Sequence, residues 1–283
     1  MDKTPTPNEE TGRMSVENKT CPTTDDDVTF YQEHGFIQYP QFFSGSEVEE
    51  LRGAIDEAIE QNRERIVGAP GGGRSSKEYE QVFNQMVNLW RDFPLVKCFA
   101  HNAALAESAR RLSGSRHVRI YHDHAMVKPG GEESRATNWH QDAPFWPMDS
   151  VGALSAWIAV DDVCIENGCL QFVPQSHKFG LQEGIALAKE GDSIVDKMKA
   201  RGHTVQDPVA VEMAAGGVTF HHGCNFHFAG PNQTENRRRA FAIIYIPDHI
   251  KFTGGSEAAG AGDEMKAGGP WDHPVHPILA GNS

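Results

Sequence analysis

From His117 onward the chain is a run of short segments: HVRIYHDHAMVKP, GALSAWIAVDDV, GCLQFVPQSH, VAVEMAAGGVTFH, NFHFAG and RAFAIIYIP. They are rich in β-branched and aromatic residues, and glycine, proline and asparagine separate them. Such side chains suit a pleated, half-buried surface, and segments this short read as strands rather than helices. Many short strands with this punctuation pair into a sandwich or barrel. A β core is therefore expected over residues 114–253, within an α+β fold that is mainly β.

The upstream third has a helical texture. TTDDDVTFYQEHG reads as a capped helix that stops at Gly35, with Asp25, Asp26 and Asp27 in the first turn, where negative charge suits the dipole. FIQYPQFFS is a short strand. SEVEELRGAIDEAIEQNRERI follows, with Ser46 and Glu49 as a capping box and Val48, Leu51, Ile55, Ala58 and Ile59 on one apolar face. GAPGGGRSSKEYE lacks the spacing of a phosphate loop and reads as a flexible connector. A second helical region is expected from about Phe93 to Leu112. The helical part, 24–113, then packs on the β core. Residues 182–208 read as an insertion over one face, and 254–283 as a loop-rich tail. Residues 1–23 are polar and proline-bearing, the composition of a disordered tail, and Met14 is an alternative start. Residues 24–283 make one domain, a size ordinary for a single large core.

Net charge is −13, which argues against general nucleic-acid binding, because a phosphate backbone rewards a basic surface. The five cysteines are odd in number and form no C-x-x-C, so they read as reduced thiols rather than a zinc site. No apolar run reaches membrane-span length, and neither a secretion signal nor a peroxisomal tripeptide is present. The expectation is a cytoplasmic protein acting on a small molecule. The residues say nothing of oligomeric state.

The stretch NWHQDAPFWP places His140 and Asp142 two residues apart. With 14 His and 39 acidic residues, about two such pairs arise by chance, so context must decide. Non-haem Fe(II) oxygenases hold iron with two histidines and one carboxylate. On an extended backbone, His140 and Asp142 point to the same side. The third ligand must come from a later strand, where His221, His222 and His227 are candidates. His221 and His222 cannot both point inward and read as a structural pair or one that supports the ligands from behind. His227 lies on a short apolar strand that stops at GPN, near a rim, and is favoured. An iron centre of this type usually takes 2-oxoglutarate, whose distal carboxylate suits a guanidinium fork. NRRRAFAIIYIP supplies Arg237, Arg238 and Arg239. Arg238 shares a face with Ala240, Ala242 and Ile244; alternation alone does not say which face is inside. Arg237 and Arg239 read as a solvated strand end.

HGFIQYPQFFS with EVEELR, WHQDAPFWP, NGCLQFVPQSHKFG and FHFAGPNQTENRRRA, in that order, resemble the phytanoyl-CoA dioxygenase family of Fe(II)/2-oxoglutarate oxygenases. The resemblance spans about Val28 to His249. It implies a double-stranded β-helix (jelly-roll, cupin-like) flanked by N-terminal helices. It implies His140, Asp142 and His227 as catalytic metal ligands, and Arg238 as the grip on 2-oxoglutarate. It further suggests Trp157, with His124 and His122 behind it, beside the co-substrate. The family often has Ser or Thr where this chain has Ala229, so one hydrogen bond of roughly 1 kcal/mol is absent or comes from elsewhere. Two further departures, PQSH for the usual P-G-S-H and Gly216-Gly217 for the usual Gly-Asp turn, leave the metal untouched. Retention of Asp142 argues against halogenation.

The activity implied uses Fe(II), 2-oxoglutarate and O2 to hydroxylate an aliphatic C–H, releasing succinate and CO2. Trp139, Phe145 and Trp146 are expected to wall the substrate pocket. His177 reads as structural; His34, His101 and His117 belong to surface or core. The same site can give desaturation, epimerisation or oxidative cyclisation, and a metal-binding, cupin-like sensor without turnover is a further alternative.

Overall fold

The computed structural model describes residues 19–61, 84–132, 134–182, 194–255 and 264–282. The expected connector at 68–80, most of the expected tail at 1–23 and residues 183–193 of the expected insertion at 182–208 lie outside these residues. α1 (Asp25–His34) is capped by Thr24, whose hydroxyl accepts from Asp27 N while Asp27 answers with its carboxylate. It ends at Gly35 in the left-handed conformation (φ 81°). β1 (Phe36–Tyr39) and α2 (Gly45–Gln61) follow. The capping box of α2 is Ser44 with Glu47, not Ser46 with Glu49. Glu47 also takes an ion pair from Lys19, so residues 19–23, expected in the tail, lie against the body, where Thr23 is buried.

β2 (Asn84–Val87) precedes two short helices, α3 (Pro94–Ala100) and α4 (Ala103–Ser113). They fill the helical region expected there, which is interrupted at His101 and Asn102 because Asn102 caps α4 by accepting from Leu105 N. β3 (His117–Lys128), β4 (Thr137–His140), β5 (Leu154–Ala159) and β6 (Leu170–Phe172) come next. α5 (Ile194–Ala200), β7 (Val209–Val211), β8 (Val218–His222), β9 (His227–Ala229), β10 (Arg238–Pro247) and β11 (Ile278–Gly281) complete the order.

Two sheets face each other as an antiparallel jelly roll. The larger runs β1-β8-β5-β10-β3-β11, with β2 also on β3; the smaller runs β4-β9-β6-β7. The tail beyond 254 is thus not only loop: β11 extends the larger sheet, and Trp271 is buried against Tyr121 and Phe252. Strands β5 and β10 are buried along their length because helices cover one face and the smaller sheet the other. Leu154, Ala156, Ile158, Phe241, Ile243 and Tyr245 join the helices in the main core. Ser155, Trp157, Ala159, Ala240 and Ala242 alternate with them and face the space between the sheets.

A candidate iron and 2-oxoglutarate site

The larger sheet presents Ser155, His221, His122 and His124 to this inner space, and the smaller sheet presents His140 and His227. His140 ends β4 and pairs in register with His227 of β9. Asp142 is not on the strand, contrary to expectation. Its backbone is αR (φ −79°, ψ −37°) and starts a 3-10 turn over Ala143–Phe145. The turn brings its carboxylate back to the histidines. Among the described residues, His140, Asp142 and His227 form a group whose ligand atoms all lie within 4.8 Å of one another.

Hydrogen bonds set the tautomers. His140 Nδ1 donates to Asn138 O at 2.7 Å, and His227 Nδ1 to Asn225 O at 3.0 Å. A carbonyl can only accept, so each ring keeps its proton on Nδ1 and turns the Nε2 lone pair inward. Both Nε2 atoms stand 3.5 Å from Asp142 Oδ1. Three lone-pair donors facing each other repel unless a cation or proton lies among them, so the donor set fits a divalent metal. Burial pushes His140 down, and nearby His227 adds to that. Burial opposes charge on Asp142 and on His227 too, but their mutual attraction prevails. Asp142 titrates well below the ordinary carboxylate range, and His227 is raised.

The other oxygen of Asp142 is held from the larger sheet. Ser155 Oγ donates to Oδ2 at 3.1 Å and His221 Nε2 at 3.3 Å. His221 is thus part of the site, while its neighbour His222 turns away and accepts Cys224 N–H on Nδ1. Between the ligands, buried Gln141 donates to Gly180 O and Cys224 O and accepts from Gln182 N, locking the turn.

Further down the inner face, Arg238 is 4% exposed. Its guanidinium lies 5.5 Å from the Trp157 ring, donates one bond to Gly168 O at 3.2 Å, and leaves Nε without a partner among the described residues. Burial lowers its pKa to about 10. Its cross-strand neighbour is Lys128, fully buried, which donates to Arg135 O at 2.7 Å and is pushed down to about 6 by burial and then by Arg238. Thr137 pairs with Ala229, putting a buried hydroxyl residue beside the position where a hydroxyl is missing. Arg237 and Arg239 face the other way. Arg239 is not a solvated strand end: it bridges Asp56 of α2 and Asp161.

The expected aromatic wall is corrected in part. Trp139 points outward, stacked on Phe228 (5.2 Å) and packed against the α5 cluster, because β4 turns alternate residues to opposite faces. Phe145 is 54% exposed, and Trp146 packs over Gly223 at the rim. His177 hydrogen-bonds Gln32 O on the outside and is structural.

A family description, phytanoyl-CoA dioxygenase, matches residues 31–240. The chain belongs to the phytanoyl-CoA dioxygenase family. These are Fe(II)/2-oxoglutarate-dependent oxygenases. The Arabidopsis thaliana phytanoyl-CoA dioxygenase is 24% identical over 257 residues, covering 79% of this chain and 88% of its own. A methylphosphonate hydroxylase of Gimesia maris is 27% identical over 230 residues, covering 78% of this chain and 80% of its own. Among solved structures, the 2-oxoglutarate-dependent carbocyclase SnoK of nogalamycin biosynthesis superposes with a TM-score of 0.76 at 25% identity, over 93% of this chain and 99% of that one. No helix among the described residues is long and apolar enough to cross a membrane.

Proposed function

We propose that this member of the family hydroxylates an aliphatic C–H bond of a small molecule. His140, Asp142 and His227 hold the iron; Arg238 and Trp157 receive the far carboxylate of 2-oxoglutarate. The observation that carries this reading is the facing set of two Nε2 atoms and one carboxylate oxygen, on the same inner face as a buried guanidinium whose Nε lacks a partner among the described residues. Iron with 2-oxoglutarate and O2 supplies the oxidant that removes the hydrogen, with succinate and CO2 released. Asn138 and Asn225 fix the ligand tautomers, Ser155 and His221 orient Asp142, and Ala229, Ala240 and Ala242 put small side chains between the sheets. Anaerobic addition of Fe(II) and 2-oxoglutarate should give a visible charge-transfer band, and aerobic incubation should release succinate. If His140→Ala and His227→Ala both keep the band, the ligand assignment is wrong.

Similarity to SnoK over nearly the whole chain favours oxidative cyclisation as a second reading. Hydrogen removal is common to both, and product mass separates them: hydroxylation adds one oxygen, and cyclisation removes two hydrogens.

A further inference from the structure

The inner face of β3 carries two histidines that the metal does not use. His122 and His124 have ring centroids 5.2 Å apart at 62°. Both keep accessible surface, whereas Tyr121, Asp123 and Ala125 between and beside them are buried, so the pair lines open space. In register they stand opposite Ile244 and Ala242 of β10, and across β10 from Ser155 and Trp157. Ser155 is the residue that bonds Asp142. The pair is therefore level with the metal ligands. Arg238 and Lys128 pair four residues beyond His124, at the far end of the same strands.

Hydrogen bonds fix what each ring presents. His122 Nδ1 is bonded to Asp123 O at 3.2 Å, so Nδ1 carries the proton and Nε2 is an acceptor. His124 Nδ1 is bonded to Gln85 Nε2, and an amide nitrogen only donates, so the His124 proton is on Nε2. One ring offers an acceptor and the next a donor.

We propose that His122 and His124 select the primary substrate, and that the group they receive is an uncharged hydroxyl. This rests on the oxygenase reading above. One alcohol satisfies both rings: its O–H donates to His122 Nε2 and its oxygen accepts from His124 Nε2–H. A phosphonate or carboxylate meets a single donor and a lone pair, with Arg238 and Lys128 at the far end of the strands. An ammonium satisfies the acceptor alone.

The test uses full-length protein labelled with 15N-histidine and loaded with diamagnetic Zn(II) and 2-oxoglutarate. Long-range 1H–15N spectra near neutral pH should show the proton of His122 on Nδ1 and that of His124 on Nε2. Cyclohexanol, cyclohexanecarboxylate and methylphosphonate are then titrated as probes. The alcohol should move both rings at concentrations at least about tenfold lower than either anion, the value of one hydrogen bond. His122→Phe should erase that preference; if this variant does not fold, the wild-type spectra and titrations decide alone. The opposite tautomers, or tighter binding of either anion, overturn the proposal. Absence of the Fe(II)–2-oxoglutarate band would instead break the oxygenase reading, and the two failures are read on separate signals.

Discussion

The two faces of the β3–β10 strand pair follow different rules. Outward, Val118, Ile120, Ala125, Val127, Phe241, Ile243 and Tyr245 enter one apolar core with the helices. Inward, His122, His124, Arg238 and Lys128 are polar, and Ala240 and Ala242 are small. Neighbours in sequence belong to opposite faces, so one residue of register separates what stabilises the fold from what does chemistry. Mutations one position apart should therefore fail in different ways.

The largest effect expected is on the inner face, at the metal. His227→Ala should abolish the charge-transfer band and lower activity at least about 100-fold, since even residues behind a metal ligand cost that much. Its thermal midpoint without metal should stay near that of the wild type. A collapsed fold would show that His227 also stabilises the sheet and would blur the comparison. On the outer face, Phe241→Ala should cost about 3–5 kcal/mol of stability in denaturant titrations, as a buried large-to-small change does. At low temperature the folded fraction should retain its band. Loss of the band in that fraction would mean that the faces are coupled.

Arg238→Leu comes next. A charge-assisted bond of about 1.5–3 kcal/mol predicts a 2-oxoglutarate requirement raised about 10- to 100-fold, with iron affinity unchanged. An unchanged requirement would move the grip to Lys128. Smaller still is His221→Phe, which removes one of the two bonds to Asp142 Oδ2 while keeping a ring. Iron affinity should fall about tenfold. No change would leave Ser155 as sufficient by itself.

Much of this division is legible in the sequence alone. Period-two alternation puts Arg238 on one face with Ala240 and Ala242, and the packing of the two sheets makes that face the inner one. What alternation could not supply was which end of a strand stops where. SGSEVEE holds two overlapping S-x-x-E boxes, and only the ion pair from distant Lys19 to Glu47 favours the first. Asp142 reaches the metal from a turn beyond β4, so the expected convergence arises from different backbone geometry. Trp139 was assigned by its nearness to His140 in sequence, where the alternation of β4 should have turned it outward. His221 was within reach of sequence reasoning, because it and His222 must part; Ser155, two residues before Trp157, shares its face by the same rule. Arg239 was misjudged because its partners, Asp56 and Asp161, are remote in the chain.

One residue violates the rule on the outer face. Asp123 points into the helical side between Ala125 and Ile120, fully buried, with Oδ2 accepting Trp90 N–H at 2.9 Å and Oδ1 without a partner among the described residues. Burial raises its pKa to about 7, against the pull of the Trp90 and Leu89 backbone amides. In the unfolded chain it titrates near the ordinary 3.8. A folded value above the unfolded one means that the fold binds the proton more tightly. The stability this contributes is fully present below pH 3.8 and is lost as pH rises through about 7. Asp123→Asn keeps an acceptor for Trp90 N–H and never ionises. Its stability relative to wild type should thus improve by about 2 kcal/mol between roughly pH 5 and pH 7. Parallel stability curves for the two proteins would place the charge in water in both states, and the outer face would then have no polar exception to explain.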